Sequence, residues 1–164
     1  TGPSGDHTSG SGYYMYVEAD AASREYTLEL PAFAECAGEV RFWYHAYGTA
    51  QLALQQSVNH GVSWSRIWYK SGNQGNGWLF AEVLVTTYHV SQLRFVGTTS
   101  STTGYNSGGG YYWYERGDMA IDDLRVFGSG VDCGASPKPP PHALGAPSRP
   151  VWTGGASCGR RRWP

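Results

Sequence analysis

Four aspartates are the residues whose types and positions could bind an ion. Asp6 lies in a Gly- and Ser-rich opening segment, and Asp118, Asp122 and Asp123 cluster around the last predicted strand. Hard cations such as Ca²⁺ prefer several carboxylate and carbonyl oxygens, which loops usually supply. Neighbouring residues of a strand point to opposite faces, so one of Asp122 and Asp123 is expected to face inward. Its carboxylate then needs a partner, which is either a set of structural hydrogen-bond donors or a bound cation.

Other reactive residue types show no catalytic spacing. The three cysteines, Cys36, Cys133 and Cys158, form no C-x-x-C pair, so zinc-ribbon and thioredoxin-like sites have no support. The five histidines are scattered without H-E-x-x-H spacing, which argues against a catalytic metal. Residues 155–159 match G-x-S-x-G formally, but that motif requires a strand leading into a helix, and none is predicted there. Because no nucleophile–base set or acid pair is recognisable, the sequence predicts no enzyme.

Charge and composition divide the chain into two regions. The 164 residues carry a net charge of −1, which excludes a uniformly basic nucleic-acid-binding protein. Residues 1–133 contain all 13 acidic residues and seven bases, whereas residues 134–164 contain five bases and no acid. No apolar run is long enough to span a membrane. We expect one folded domain over 1–133 and a disordered Pro/Gly/Arg-rich tail or linker over 134–164. The start at Thr1, without Met or a signal peptide, indicates a piece of a larger protein.

Short alternating segments predict an all-β protein. They are rich in aromatic and β-branched residues and are bounded by glycine, proline, serine or asparagine, as strands are. No segment shows the apolar spacing of a helix. Eight such strands at roughly ten-residue spacing favour an antiparallel sandwich or barrel. The predicted strands are residues 13–19, 25–30, 40–47, 51–58, 64–70, 78–86, 92–97 and 120–127.

A glycine-rich segment is followed by a run of four aromatic residues. Residues 98–110 (TTSSTTGYNSGGG) are predicted to form a long loop, and such loops are usually functional or disordered. In the extended run that follows, either Tyr112 and Tyr114 or Tyr111 and Trp113 should be exposed. Exposed tyrosine and tryptophan are frequent at protein interfaces, and their rings can also stack on sugars. The alternative is that all four pack inward or against the loop.

Four ordered stretches of the sequence resemble the MAM domain family, named for meprin, A5 protein and receptor tyrosine phosphatase mu. Together they span about four-fifths of the chain, from the opening segment to Cys133. They are residues 2–19 (GPSGDHTSGSGYYMYVEA), Cys36 with residues 40–48 (VRFWYHAYG), residues 68–78 (WYKSGNQGNGW), and residues 117–124 (GDMAIDDL) with Cys133.

The resemblance implies a jelly-roll β-sandwich that acts outside cells, mediates protein–protein contact and often dimerises, without catalysis. By the same resemblance, Cys36 and Cys133 form a disulfide. Some family members carry a bound cation, so Ca²⁺ at Asp6, Asp122 and Asp123 is a hypothesis here. The chain departs from the family in lacking its N-terminal segment and first strand, which is expected to leave a sheet edge exposed.

We interpret the sequence as a non-enzymatic extracellular adhesion module of a larger cell-surface or secreted protein. Its partner is expected to be another protein or a second copy of the chain, bound through the sandwich surface and the aromatic run Tyr111, Tyr112, Trp113 and Tyr114. The alternative is a carbohydrate-binding jelly roll that uses the same aromatic run.

Overall fold

The computed structural model describes residues 2–19, 23–33, 35–87, 89–105, 111–132 and 151–153. These residues form eleven β-strands, and no helix is found among them. The strands are β1 (Met15–Val17), β2 (Glu25–Glu29), β3 (Glu35–Ala46), β4 (Gln51–Ser57), β5 (Ser65–Ser71), β6 (Leu79–Leu84), β7 (Gln92–Thr98), β8 (Ser100–Tyr105), β9 (Tyr111–Arg116), β10 (Met119–Asp132) and β11 (Val151–Thr153).

The strands form two main antiparallel sheets. One sheet has four strands in the order β1-β10-β3-β6, and the other has five in the order β11-β2-β7-β4-β5. Strands β8 and β9 pair separately as a two-stranded sheet. Strands adjacent in a sheet are mostly distant in sequence, as expected for a jelly roll. The predicted antiparallel jelly-roll sandwich is therefore confirmed, and each of the eight predicted strands overlaps an observed one.

The core lies between the two main sheets and is organised by the alternation of β3. Val40, Phe42 and Tyr44 point inward and are buried. The ring of Phe42 meets Phe95 of β7 edge-on at 4.9 Å and Trp68 of β5 edge-on at 5.1 Å. Edge-to-face contacts of this kind add to the hydrophobic gain of burying the rings. Phe42 therefore joins its own sheet to two strands of the opposite sheet.

The two sheets approach closely where β7 faces β10. A Cβ atom at position 97 would overlap the sulfur of Met119, so a side chain at Gly97 would force the sheets or Met119 to move. Glycine at this point is thus a packing requirement of the sandwich.

Two segments that were expected to lack regular structure contain strands. Residues 98–110 were predicted to be a loop, but Ser100–Tyr105 forms β8, antiparallel to β9 with Tyr105 opposite Tyr111. The threonines in this segment favour extended structure, and the neighbouring strand supplies the pairing. In the predicted tail, Val151–Thr153 forms β11 against β2, with Val151 opposite Glu29. These three residues of the predicted tail therefore have regular secondary structure.

Cys36 lies at the start of β3 and is disulfide-bonded. The two other cysteines of the sequence, Cys133 and Cys158, lie outside the described residues. At the last described pair between β10 and β3, Asp132 lies opposite Glu35. The end of β10, next to Cys133, thus lies beside the start of β3, where Cys36 is located, which supports the predicted Cys36–Cys133 bond.

We expect non-reducing peptide mapping to recover Cys36 linked to Cys133. Because the bond closes a loop of roughly a hundred residues, replacing both cysteines should lower the free energy of unfolding by about 4–5 kcal/mol in the chain-entropy model. Cys158→Ser is the matched control and should leave the unfolding free energy unchanged. A peptide linking Cys36 to Cys158 would contradict the assignment.

Candidate functional site

The predicted cation-site residues come together on the outer face of the four-stranded sheet. Since Val40, Phe42 and Tyr44 of β3 face the core, Arg41 and Trp43 lie on the opposite face. The N-terminal segment covers one end of this face. We call residues 3–14 the clasp, because they are held to β10 and β3 by side-chain contacts.

The carboxylate of Asp6 holds the clasp together through hydrogen bonds. It accepts hydrogen bonds from the backbone N–H and the hydroxyl of Ser9, both at 2.9 Å, and from the backbone N–H of Gly12. These donors, led by the Ser9 backbone N–H, lower the pKa of Asp6 to about 2 despite an opposing effect of burial. A Cβ atom at position 12 would lie 2.9 Å from the carboxyl carbon of Asp6, so Gly12 permits this close approach.

His7 and Thr8 attach the clasp to the sheet. The backbone N–H of His7 donates to Asp122 Oδ2 at 2.7 Å, and its Nδ1 lies 2.9 Å from Asp123 Oδ2. The hydroxyl of Thr8 donates to the same oxygen of Asp123 at 2.6 Å. The bonds from Thr8 and His7 lower the pKa of Asp123. The imidazole also stacks on Trp43, with ring centroids 3.6 Å apart.

A β-bulge in β10 places both aspartates on the solvent side. The register shifts between Asp122, which is opposite Trp43, and Arg125, which is opposite Arg41. The extra residue in β10 is accommodated with a positive φ of 48° at Asp123, a conformation that aspartate tolerates better than most residues. Asp123 is exposed and Asp122 is partly buried. The expectation that one of the pair faces the core is wrong, because strict alternation fails at a bulge.

Hydrogen-bond donors of the protein reach the carboxylates of Asp6, Asp122 and Asp123. Both oxygens of Asp6 accept protein donors, and those of Asp122 accept the backbone N–H groups of His7 and Asp123. Within the described part of the chain, no group of three or more His, Cys, Asp or Glu side chains is arranged to hold a metal. Ca²⁺ at Asp6, Asp122 and Asp123 therefore stays a prediction.

Asp118 lies apart from this cluster and has a structural role. It is buried, and its Oδ1 accepts a hydrogen bond from the backbone N–H of Ala19 at 2.9 Å. Its backbone carbonyl accepts from the N–H of Tyr47 at 2.9 Å. Asp118 thus joins the ends of three segments beneath the clasp.

His45 is fully buried where β3 passes under the clasp. Its Nε2 lies 3.3 Å from the side-chain oxygen of Asn76, and its Nδ1 has no hydrogen-bond partner among the described residues. Burial lowers the pKa of His45, and Asn76 and the charge of Asp118 only partly oppose this shift. The imidazole is therefore held in its neutral form.

Three large apolar side chains are exposed on the part of this face that the clasp leaves open. Phe80 and Leu84 of β6 are 50% and 67% exposed, and Phe127 of β10 is 41% exposed. Glu39 of β3 lies opposite both Phe127 and Leu84, and Phe80 lies on the same face of β6 as Leu84, opposite Trp43. We call Phe80, Leu84 and Phe127 the apolar patch.

An ionic cluster lies at the centre of the patch. The guanidinium of Arg41 pairs with Glu39, lies 3.1 Å from Glu82 Oε2, and sits 5.0 Å from the centre of the Phe127 ring. Sequence reasoning missed the patch. The sequence does contain apolar residues at strand positions that alternate with buried ones. Only the register between the strands shows that these residues lie on one face.

The predicted aromatic run belongs to the two-stranded sheet of β8 and β9. Residues 111–114 belong to β9, with Tyr112 opposite Gly104 and Tyr114 opposite Thr102 in β8. Their side chains lie outside what the structure describes, so which pair is exposed stays a prediction. β9 is not paired with either main sheet.

We expect Asp6→Asn to lower the melting temperature, because it removes the charge that accepts three hydrogen bonds. Since the folded pKa of Asp6 is about 2, against 3.8 for the ordinary group, its contribution is present above pH 4 and is lost as the pH falls toward 2. Melting curves from pH 2 to 6 should show this loss in the wild type and a weaker pH dependence in Asp6→Asn. Glu25→Gln, at an exposed carboxylate of β2, is the control.

The same melting experiment tests whether a cation binds at the clasp. If hydrogen bonds alone hold the carboxylate of Asp6, the melting temperature should be equal in EDTA and in millimolar Ca²⁺. A melting temperature that Ca²⁺ raises in the wild type but not in Asp6→Asn would instead support a cation at the clasp.

A second pH effect is expected from His45. Its pKa is lowered in the folded state, so the unfolded chain takes up the proton first as the pH falls through about 6.5. Stability should therefore decrease below pH 7, by no more than about 1.4 kcal/mol per pH unit, the limit for one proton. Denaturant titrations between pH 5 and 8 should show this slope in the wild type and lose it in His45→Gln. His60→Asn, in an exposed turn, is the control, and equal slopes in His45→Gln and wild type would refute the effect.

The described residues contain no helix that is both long and apolar enough to cross a membrane.

Solved structures with a similar chain path include carbohydrate-binding modules. A family 61 module in complex with β-1,4-galactotriose is 16% identical, with a TM-score of 0.44, and the match covers 71% of this chain and 70% of that one. A variant of a family 29 module is 12% identical, with a TM-score of 0.45 and 77% coverage of both chains.

Curated relatives are larger proteins. MAM domain-containing protein 2 of Mus musculus is 31% identical over 135 residues, which cover 77% of this chain and 18% of the relative. Neuropilin-1a of Danio rerio is 25% identical over 135 residues, with 77% and 13% coverage. MAM domain-containing glycosylphosphatidylinositol anchor protein 1 of Gallus gallus is 32% identical over 161 residues, with 92% and 15% coverage. The chain thus spans less than a fifth of the length of these relatives.

No enzyme family is among these matches. A family model described as "MAM domain, meprin/A5/mu" matches residues 1–134, which include both main sheets apart from β11. The predicted resemblance is confirmed, and this chain belongs to the MAM domain family.

Proposed function

We propose that this chain is a non-enzymatic adhesion module that binds protein outside the cell, as part of a larger cell-surface or secreted protein. Membership of the MAM family supports this proposal, and one relative is named as a glycosylphosphatidylinositol anchor protein. The disulfide at Cys36 supports an oxidising compartment, because such bonds persist mainly outside the cytosol.

The observation that carries the proposal is the apolar patch. Isolated exposed apolar residues are common, but a grouped set marks an interaction surface. Phe80, Leu84 and Phe127 lie on one sheet face around the ion pairs of Arg41. Aromatic rings beside an arginine are also the residue types enriched at interface hot spots.

The proposed occupant of the patch is a second copy of this chain. A two-fold dimer brings the same surface of both subunits together, so that surface must be complementary to itself. The patch meets this requirement, because it combines apolar side chains with both signs of charge: Arg41 stands between Glu39 and Glu82. β6 is also the edge strand of its sheet among the described residues, so a partner can approach it from the side.

We expect the wild-type chain to self-associate and the double variant Leu84→Ser, Phe127→Ser to weaken association by about 2–4 kcal/mol, as the loss of interface hot spots does. Both side chains are already exposed, so the melting temperature should change little. Sedimentation across micromolar concentrations, run beside a melting curve for each variant, measures both quantities.

Val62→Ser is the control, because Val62 is 84% exposed in a turn away from the patch. The double variant Tyr112→Ala, Tyr114→Ala tests the aromatic run predicted from the sequence. If that variant alone abolishes association, the interface lies at β9 and not at the patch. A wild type that stays monomeric at high micromolar concentration would remove the support for self-association.

A further inference from the structure

Two arginines lie over aromatic rings on the outer face of the five-stranded sheet. The guanidinium of Arg94 on β7 sits 4.3 Å from the centre of the Trp64 ring, and that of Arg66 on β5 sits 4.3 Å from the centre of the Tyr69 ring. Gln55 of β4 lies opposite both arginines in the strand register, and its side-chain oxygen accepts a hydrogen bond from Arg94 Nε at 2.8 Å. We call Arg66, Arg94 and Gln55 the arginine pair site.

The side-chain contacts orient these arginines without neutralising them. No carboxylate of the described side chains lies within 4.0 Å of either guanidinium. Arg41 on the opposite sheet, by contrast, is paired with two glutamates. A guanidinium that rests on a ring loses rotamer freedom but keeps N–H donors for another acceptor. The two cations are thus held in place with their charge available.

The positive charge is confined to one side of this face. Residues 1–133 carry seven bases against 13 acids, so this region as a whole is acidic. Arg66 and Arg94 stand on β5 and β7, whereas Glu25 and Glu29 are exposed on β2 at the other side of the sheet. Glu29 lies opposite Arg94 in register, and so it borders the arginine pair site.

We propose that the arginine pair site binds a sulfated polysaccharide. Its two guanidinium groups would donate to sulfate or carboxylate oxygens of a linear chain lying across β7, β4 and β5. The side-chain amide of Gln55 stands between them as a further polar contact. Strand spacing puts the backbones of the two arginines about 10 Å apart, so they can contact separate acidic groups of one chain.

The geometry favours a polysaccharide over an acidic peptide. Extended peptides usually bind a sheet at its edge, where the backbone supplies hydrogen bonds. The arginine pair site lies on the face of the sheet, includes the central strand pair β7–β4, and offers side-chain donors only. Recognition there depends on oxyanions presented at intervals, which sulfated sugars provide and which arginine binds in its fork geometry.

Calorimetric titration of the full chain with a size-defined heparin oligosaccharide tests the proposal. We expect saturable binding that weakens as NaCl rises from 50 to 300 mM, since each contact releases counterions or competes with them. Arg66→Gln and Arg94→Gln should each weaken binding by about tenfold, the usual size of a charge-assisted hydrogen bond. Glu29→Gln should strengthen it, because it removes a negative charge beside Arg94.

Arg125→Gln is the matched control, because it removes the same charge from an exposed position on the other sheet. It should change the affinity by no more than about twofold, as expected for a distant screened charge. Arg94→Lys, which keeps the charge, guards against loss of folding at this position, and melting curves accompany every variant.

Three results would overturn the proposal: unchanged binding by Arg66→Gln/Arg94→Gln, equal loss in Arg125→Gln, or equally tight binding of a polyglutamate peptide. The last result would assign the site to acidic proteins. Because the arginine pair site and the apolar patch lie on opposite sheets, failure of one proposal leaves the other intact.

Discussion

The packing of Phe42 between the two sheets is the contact on which the rest of the structure depends. Its ring meets Phe95 and Trp68 of the opposite sheet, so it determines how β3 lies over β7 and β5. Once Phe42 faces inward, the alternation of β3 obliges Arg41 and Trp43 to face outward. The clasp and the apolar patch are both built on these two outward side chains. Loss of this core contact would therefore disturb the outer surface as well as the fold.

The two outer faces have different chemistry because their charges are satisfied in different ways. On the four-stranded sheet, carboxylates receive donors from the clasp, and Arg41 is paired with glutamates, so that the apolar side chains beside it dominate. On the five-stranded sheet, Arg66 and Arg94 rest on aromatic rings and keep their charge. One small domain thus carries an apolar patch on one outer face and two oriented cations on the other, and the two proposed binding activities rest on these separate surfaces.

The clasp gives a structural role to the opening stretch that resembles the MAM family. The opening motif contains Asp6, which closes the clasp on itself, and His7, which stacks on Trp43 and bonds to the aspartates of β10. Residues more than a hundred positions apart in sequence are thereby joined at one end of the sheet. Beneath them, His45 and Asp118 are buried among polar contacts, and the lowered pKa of His45 makes the stability of this end of the sandwich depend on pH.

Sequence alone determined the strands and the fold class, because the two-residue period of buried and exposed side chains is a local property of each segment. It also located Asp6, Asp122 and Asp123, although it misjudged how they face. Only the tertiary structure decided the bulge at Asp123, the pairing of β8 with β9 and of β11 with β2, the apolar patch and the arginine pair site. The bulge, the pairing of β11 with β2 and the apolar patch depend on the register between strands that are distant in sequence, and that register is set by the packing of the whole core.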